Sequence, residues 1–483
     1  MRVVLKNFHV VDEETDMTGT VIIEDGIIAG VLPGPAEERK EEAALVIDGG
    51  RLLSKGGVSR SAEDYPVLMP AFVDLHAHLR DPGFSEKEVS LPAEMLLPSE
   101  VLESGSLAAA AGGFGTVVCM ANTKPPIDSL EKVRALKKRS DVLGLIDLYP
   151  VMSLTRGMEG RELSEIRSLP AFSEAPLMLS EDGKDLADNA LFLAAMREAK
   201  RLGIPVSCHC DFGGDEAEAA KKAGQPRGVW SRIEENNAVR RVIELGKQAG
   251  CHIHIAHVST KEAVEMIRRA RAENYNDSPG GGFTLTCEAM PHNLCLTDED
   301  ARRLGDETWG RVNPPLRSEE DRKALVRAVA DGTIDAIATD HAPHSGAAKE
   351  KGAPGFSGFE TAFAAVFTEL VRGSGTYDPA PLNAIDLKRL SSLMSARPAR
   401  LLGFNDCKID DCKIDDCKTD GARKRGRMLR GYRADLVIVD TKESWVVESG
   451  TFKTRGGNSP FVGRELFGKI LMTIRGGRIV FER

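Results

Sequence analysis

The sequence predicts an α/β protein: a (β/α)8 TIM-like barrel joined to a small β-sandwich domain built from both chain termini. Three observations carry this. Between residues 70 and 403, apolar runs of strand character alternate with helix-period segments in eight successive units. Residues 1–35 and 431–483 instead read as short strands separated by glycine-marked turns. The length, 483 residues, exceeds one ordinary domain but suits a large barrel with a smaller module.

The chain opens as a β-meander, Val3–Leu5, Val21–Ile23 and Ile27–Val31, with a turn at Glu24-Asp25-Gly26. Residues 36–66 read as an exposed loop containing a strand at Ala44–Ile47. The expected barrel strands are Ala71–Leu75, Thr116–Met120, Gly144–Tyr149, Pro176–Leu179, Pro205–Cys208, His252–Ala256, Thr284–Cys287 and Ile334–Ala338. Helical periodicity marks Leu130–Arg139, Asn189–Leu202, Asn236–Ala249 and Lys261–Ala272, and Gly112-Gly113 ends the first barrel helix. A five-residue repeat, CKIDDCKIDDCKTDG, fills residues 407–421, and the basic run Arg423-Lys424-Arg425-Gly426-Arg427 follows. It reads as a solvated low-complexity insertion, with a soft metal ion on Cys407, Cys412 and Cys417 as the alternative. Strand texture returns at 434–440 and 470–480. The expected division is 1–69, 70–403, 404–430 and 431–483, the first and last segments forming one β-sandwich.

Composition narrows the function classes. A net charge of −9 and a pI near 5.7 argue against a nucleic-acid or anionic-membrane surface. No run approaches the ~18 apolar residues of a membrane span, and the start MRVVLKNFHVVDEE lacks a signal-peptide pattern. The nine Cys are odd in number, and several sit in apolar strand-like runs, which suits reduced thiols. The expectation is a cytoplasmic protein without nucleic-acid or membrane partners.

The chemistry starts at MPAFVDLHAHLRDPG, residues 69–83. Alternation on a strand sends His76 and His78 to one side, where two imidazoles can converge on one metal ion. Barrel active sites lie at the C-terminal ends of the strands. There the sequence places Asn122, the run Ser180-Glu181-Asp182-Gly183, His209, His257, His292, Asn313, Asp340, His341 and His344. Four His and two Asp at strand mouths, from a chain with only 10 His, form a ligand set. Imidazole and carboxylate suit zinc and related divalent ions. Six ligands exceed one tetrahedral site and suit two ions roughly 3.5–4 Å apart sharing a carboxylate and a hydroxide.

The segments MPAFVDLHAHLRDPG, CMANTKPP, SEDG, CHC, AHVSTKE, VNPPLR and ATDHAPH resemble the amidohydrolase superfamily, and within it the type I dihydroorotases, over nearly the whole chain. The resemblance implies that His76, His78 and Asp340 hold one Zn2+, that His209 and His257 hold a second, and that Asp182 bridges them. Other divalent ions fit the same ligands. Glu181 is the neighbour with which Asp182 could be exchanged. Many amidohydrolases bridge with a carbamylated lysine, but no lysine lies at residues 176–182. It further implies that His78, Arg80, Asn122 and His344 face the substrate's α-carboxylate. Asn313 with Pro354 and Gly355 would read the pyrimidine amide edge.

The implied reaction is reversible cyclisation of N-carbamoyl-L-aspartate to L-dihydroorotate plus water, in pyrimidine biosynthesis. Asp340 would be the catalytic proton carrier, and Ser345–Phe359 either a mobile cover or a plain surface loop. His252, His254 and His341 are expected to be structural, and Asn293 stands where the family carries a second histidine. A homo-oligomer and an association with aspartate transcarbamoylase are possible partners. The rivals are a related cyclic amidase (dihydropyrimidinase, hydantoinase or allantoinase) and a non-catalytic scaffold, against which the complete ligand set speaks.

Overall fold

The structure is a computed structural model that describes residues 1–34, 45–52, 65–81, 100–169, 176–277, 283–373, 384–405 and 424–483. Pro82, Gly83 and the Cys407, Cys412 and Cys417 repeat lie outside the described residues.

Eight parallel strands run in sequence order around a barrel: β6 (Phe72–Ala77), β7 (Phe114–Cys119), β8 (Asp147–Pro150), β9 (Leu179–Ser180), β10 (Val206–Cys208), β11 (His252–Ile255), β12 (Thr284–Ala289) and β13 (Ala336–Ile337). Two ladders, β6 to β8 and β9 to β13, are joined by single parallel bridges, Met152 to Leu179 and Ala77 to His341. Every residue of β6 and β7 is buried, as parallel strands covered on both faces require. Helices follow most strands and pack outside, among them Leu102–Ala111, Leu130–Leu143, Asn189–Leu202, Arg227–Ala249, Lys261–Asp277, Glu319–Asp331 and Phe359–Val366. After β8 the described residues form only short 3-10 turns, at Arg156–Met158 and Glu165–Ser168.

Local chemistry sets where these elements stop. Helix Leu130–Leu143 begins at Ser129, whose hydroxyl accepts from Lys132 N–H, and ends at Gly144 with φ +70°. Gly144 was expected to open the third strand. It is the left-handed cap of the preceding helix instead, and the strand starts at Asp147. The fourth strand is likewise shorter than Pro176–Leu179, with ladder pairing only at Leu179 and Ser180. The second is earlier, ending at Cys119 rather than Met120.

The termini build one eight-stranded sheet in the order β18-β17-β14-β5-β1-β2-β3, with β4 also on β1. Here β1 is Arg2–Val11, β2 Asp16–Glu24, β3 Ile27–Pro33, β4 Leu45–Asp48, β5 Val67–Pro70, β14 Leu436–Asp440, β17 Lys469–Arg475 and β18 Arg478–Glu482. β5 pairs in parallel with β1 and antiparallel with β14, so the two ends of the chain meet on one strand. The sheet closes over Val3, Leu5, Phe8, Ile23, Leu436 and Ile474, a β-sandwich core separate from that of the barrel. β5 ends at Pro70 and β6 begins at Phe72, which seats the sandwich against the N-terminal end of the barrel.

One excursion leaves this module. Between β15 (Trp445–Val446) and β16 (Glu465–Leu466), residues 447–464 run up to the last barrel loop, where Glu360 accepts the backbone N–H groups of Lys453 (2.7 Å) and Thr454 (3.1 Å). The described cysteines Cys119, Cys208, Cys210, Cys251, Cys287 and Cys295 are buried free thiols. Among the described residues, no helix is long and apolar enough to cross a membrane.

Candidate metal centre and active site

Twelve residues singled out in the sequence, His76, His78, Arg80, Asn122, Asp182, His209, His257, Asn313, Asp340, His344, Pro354 and Gly355, line one cavity of about 200 Å³ at the C-terminal ends of the strands. β6 delivers His76, and the chain just beyond it delivers His78, whose N–H donates to His341 O across the barrel seam (2.8 Å). Asp74, also on β6, accepts Thr339 N–H (2.9 Å) and Thr339 Oγ1–H (2.5 Å), fixing the turn that presents Asp340. Burial pushes the Asp74 carboxyl up to about 7 despite those bonds.

Asp182 stands at the centre. Its Oδ1 lies 3.3 Å from His76 Nε2 and 3.2 Å from His209 Nδ1, and its Oδ2 lies 3.5 Å from His78 Nε2. Asp340 Oδ1 lies 3.0 Å from His78 Nε2 and 3.7 Å from His76 Nε2. Glu181 points elsewhere: its carboxylate accepts the N–H groups of Leu154 (2.9 Å) and Thr155 (3.1 Å) and the Thr155 hydroxyl. His76, Asp182 and His257 form one set of ligand atoms within 4.8 Å of one another, and His76, His78 and Asp340 form another.

The outward hydrogen bonds decide which imidazole nitrogen is free. His76 Nδ1 faces Glu288 Oε1 (2.8 Å), His78 Nδ1 faces Asn122 Oδ1 (2.9 Å) and His209 Nε2 faces Asp211 Oδ2 (3.1 Å). Each partner is an acceptor, so each of those nitrogens carries a hydrogen, and the opposite nitrogen, the one that would take a metal ion or a proton, is aimed at the cluster. His76 Nε2 is buried and, among the described residues, has Asp182 Oδ1 beside it at 3.3 Å but no hydrogen bond of good geometry. His209 Nδ1 and His257 Nε2 face each other at 2.7 Å, close for two lone pairs unless a proton or cation lies between them.

Charge tells the same story. Burial would raise both carboxyls, but the histidines around them hold Asp182 and Asp340 well below the usual range. Burial would lower His76 and His209, but Asp182 and Glu288 around the first, and Asp211 and Asp182 around the second, hold them well above their ordinary value. His257 is driven down to about 3 by burial and by His209 and His76. The cluster thus draws positive charge inward, and its donors, imidazole nitrogen and carboxylate oxygen, fit zinc or a related divalent ion.

Three of these side chains sit on left-handed backbone: Arg80 (φ +58°), His257 (φ +33°) and Asp340 (φ +45°). Such conformations cost on the order of 1–3 kcal/mol each and persist where surrounding structure enforces them, as at functional sites. Arg80 is buried at the mouth, its pKa lowered by burial to about 10 and thus still protonated near neutrality. Its Nη2 lies 3.4 Å from His344 Nε2, which faces Pro354 O at 2.8 Å and so bears the hydrogen. Burial and Arg80 lower His344 to about 3, so this ring is neutral. Asn313 Oδ1 accepts from Arg227.

His341 accepts Gly358 N–H at Nδ1 (3.1 Å) and faces Glu100 at Nε2 (3.3 Å), while His254 Nε2 faces Glu288 (3.1 Å). His292 is buried edge-on to Phe356, with ring centroids 5.4 Å apart. Ser345–Phe359 is not plain loop: Gly346–Glu350 is helical, and Lys349 is buried inside it.

Sequence reasoning missed Glu288, Asp211, Asp74, Lys349 and Asn458. An acid inside the apolar strand run TLTCEAM was a readable signal for Glu288. Nothing local signals Asn458, which meets His344 across 114 residues of chain.

Residues 67–408 match the amidohydrolase family. A dihydroorotase of Clostridium botulinum (strain Eklund 17B / Type B) is 35% identical over 483 residues, covering 100% of both chains. One of Thermoanaerobacter sp. (strain X514) is 34% identical over 495 residues, covering 100% of this chain and 98% of the relative. Among solved structures, an L-hydantoinase (dihydropyrimidinase) from Arthrobacter aurescens superposes with a TM-score of 0.76 at 24% identity, covering 99% of this chain and 96% of the other. A dihydropyrimidinase from Brevibacillus agri NCHU1002 gives 0.74 at 20% identity, covering 100% and 95%.

Proposed function

This chain belongs to the amidohydrolase family, and from that premise we propose that it is a dihydroorotase. It is a metal-dependent hydrolase of cyclic amide C–N bonds and interconverts N-carbamoyl-L-aspartate and L-dihydroorotate plus water, a step of pyrimidine biosynthesis. The observation that carries the reading is Asp182 set among the inward-facing ring nitrogens of His76, His78 and His209, with the Arg80 cation at the mouth of the same cavity.

His76, His78 and Asp340 would hold one Zn2+, His209 and His257 a second, and Asp182 would touch both. When bound, such ions supply Lewis-acid polarisation of the scissile carbonyl and a water acidic enough to attack near neutral pH. The chain's own groups do the rest. Arg80 takes the substrate α-carboxylate in paired, charge-assisted hydrogen bonds, with His78, Asn122 and His344 beside it. Asn313 and the backbone at Pro354 and Gly355 meet the amide edge and exclude water from that wall. In ring opening, Asp340 accepts the attacking water's proton at its carboxylate and delivers it to the departing ring nitrogen. Cyclisation runs the same transfer backwards.

The protein acts on this small molecule in the cytoplasm. A homo-oligomer and an association with aspartate transcarbamoylase are compatible with this reading. The second reading, a hydantoinase-type cyclic amidase, is favoured by the fold similarity to hydantoinases. The aspartate bridge and the buried arginine weigh against it. The test is a substrate panel with L-dihydroorotate, hydantoin, dihydrouracil and allantoin. Turnover of dihydroorotate alone is expected, and preferential opening of any other ring would overturn the assignment.

A further inference from the structure

Two wall elements of the cavity, the His344 ring and the Gly355 backbone, lie at opposite ends of one loop, residues 344–357. A residue of the C-terminal module ties those ends together. Asn458 is buried; its Oδ1 accepts His344 N–H (3.0 Å) and the Ser357 hydroxyl (3.0 Å), and its Nδ2 donates to Gly355 O (2.9 Å). The single Ser357 hydroxyl hydrogen is shared between Asn458 Oδ1 and Gly456 O. The approach is close: a Cβ on Gly456 would lie 2.7 Å from Pro343 Cβ and 2.8 Å from His344 N.

A second clamp holds the loop from within. Lys349 Nζ donates to Arg311 O (2.8 Å), Ala353 O (2.9 Å) and Gly355 O (3.0 Å), using all three of its hydrogens. Ala342 N–H donates to Phe356 O (2.7 Å) across the loop base. Gly355 O thus receives both Asn458 and Lys349, which fixes the plane of its peptide, and the His344 N–H bond fixes the backbone from which that imidazole projects.

We propose that Asn458 is a positioning residue for substrate binding: it pins both ends of loop 344–357, so that the terminal β-module completes the binding wall of the barrel site. The proposal rests on the dihydroorotase reading for the identity of the substrate, but not for the clamp itself. Asn458's side-chain hydrogen bonds go to His344, Ser357 and Gly355 and to none of the candidate metal ligands, so its loss should reach the substrate wall and leave the metal cluster intact.

The test compares full-length wild type, Asn458→Ala, Asn458→Asp and Ser357→Ala. Asn458→Ala should raise KM for L-dihydroorotate about tenfold or more while kcat stays within about threefold and metal content is unchanged. Backbone amides of 344–357 should exchange with deuterium about tenfold faster, with exchange elsewhere in the barrel unaltered. Asn458→Asp keeps both acceptor roles and sets a carboxylate oxygen against Gly355 O, so it should free the Gly355 end more than the His344 end. Ser357→Ala, which removes one hydroxyl, should move KM and loop exchange the same way by less, and it decides the matter if Asn458→Ala does not fold. Unchanged loop exchange, or faster exchange with an unchanged KM, would overturn the proposal, as would equal loss of kcat and metal. Should wild type leave dihydroorotate intact, the substrate reading falls, and the exchange measurement still decides the clamp.

Discussion

Two buried charged clusters sit at opposite ends of the barrel, and they are built on opposite principles. At the C-terminal ends of the strands, Asp182 and Asp340 stand among imidazoles whose free ring nitrogens point inward. At the N-terminal end of β8, Asp147 stands among Arg425, Arg433 and Arg475 and accepts from all three, with Arg425 Nη1 at 2.8 Å and Arg475 Nε at 3.1 Å. Arg433 and Arg475 come from the C-terminal module and Arg425 from the segment that leads into it, so this second cluster fastens the β-sandwich to the barrel. One cluster turns imidazole nitrogens and carboxylate oxygens toward a common point, the donor set of a divalent-ion site. The other is saturated by side chains, as a joint must be.

Substitutions can break that contrast. Asp182→Ala removes the central carboxylate. Bound metal should fall, and kcat/KM for dihydroorotate should drop by about 10³-fold or more with little change in Tm. Asp147→Ala should do the reverse. It strands the buried Arg425 and the half-buried Arg433 and Arg475 and should cost about 3 kcal/mol of stability, read by denaturant unfolding, while the folded protein keeps its activity. The same joint predicts an acid limit. Burial would raise the Asp147 carboxyl, but the three arginines hold it well below the usual range, so its contribution is present above the unfolded pKa. That contribution fades as pH falls below about 4, and Asp147→Asn should remove this part of the acid sensitivity.

Smaller effects sharpen the division within the site. Arg80→Met should raise KM for dihydroorotate by about 10–100-fold and leave metal content unchanged, since a charge-assisted pair is worth about 1.5–3 kcal/mol. An unaltered KM would remove Arg80 from the carboxylate grip. Glu288→Gln keeps an acceptor for His76 Nδ1–H but loses the charge shared with His254. It should weaken metal binding about tenfold in chelator competition, with Tm little changed.

The barrel was legible because its strands are continuous apolar runs separated by helix-period segments, and the gathering of the His and Asp residues in one cavity because barrel geometry brings strand ends together. His76 and His78 follow from alternation alone. Asp182 against Glu181 was open on spacing, and a three-dimensional fact separates them: residues 154–155 offer Glu181 backbone donors, leaving Asp182 to the histidines. Gly144 misled because a glycine beside an apolar run serves equally as strand start or helix cap. Asn458 and the arginines around Asp147 were beyond reach, since partners 114 and 278 residues apart in the chain leave no local pattern.

The most direct test of the central claim, that the imidazole–carboxylate cluster binds the divalent ions that make this chain a hydrolase of dihydroorotate, is one assay on one purified sample. Ring opening of L-dihydroorotate is followed before chelation, after chelation and after zinc is restored, with bound metal determined at each stage. Turnover should disappear with the metal and return with it. Turnover that persists in metal-free protein, or bound metal without turnover of dihydroorotate, would contradict the claim.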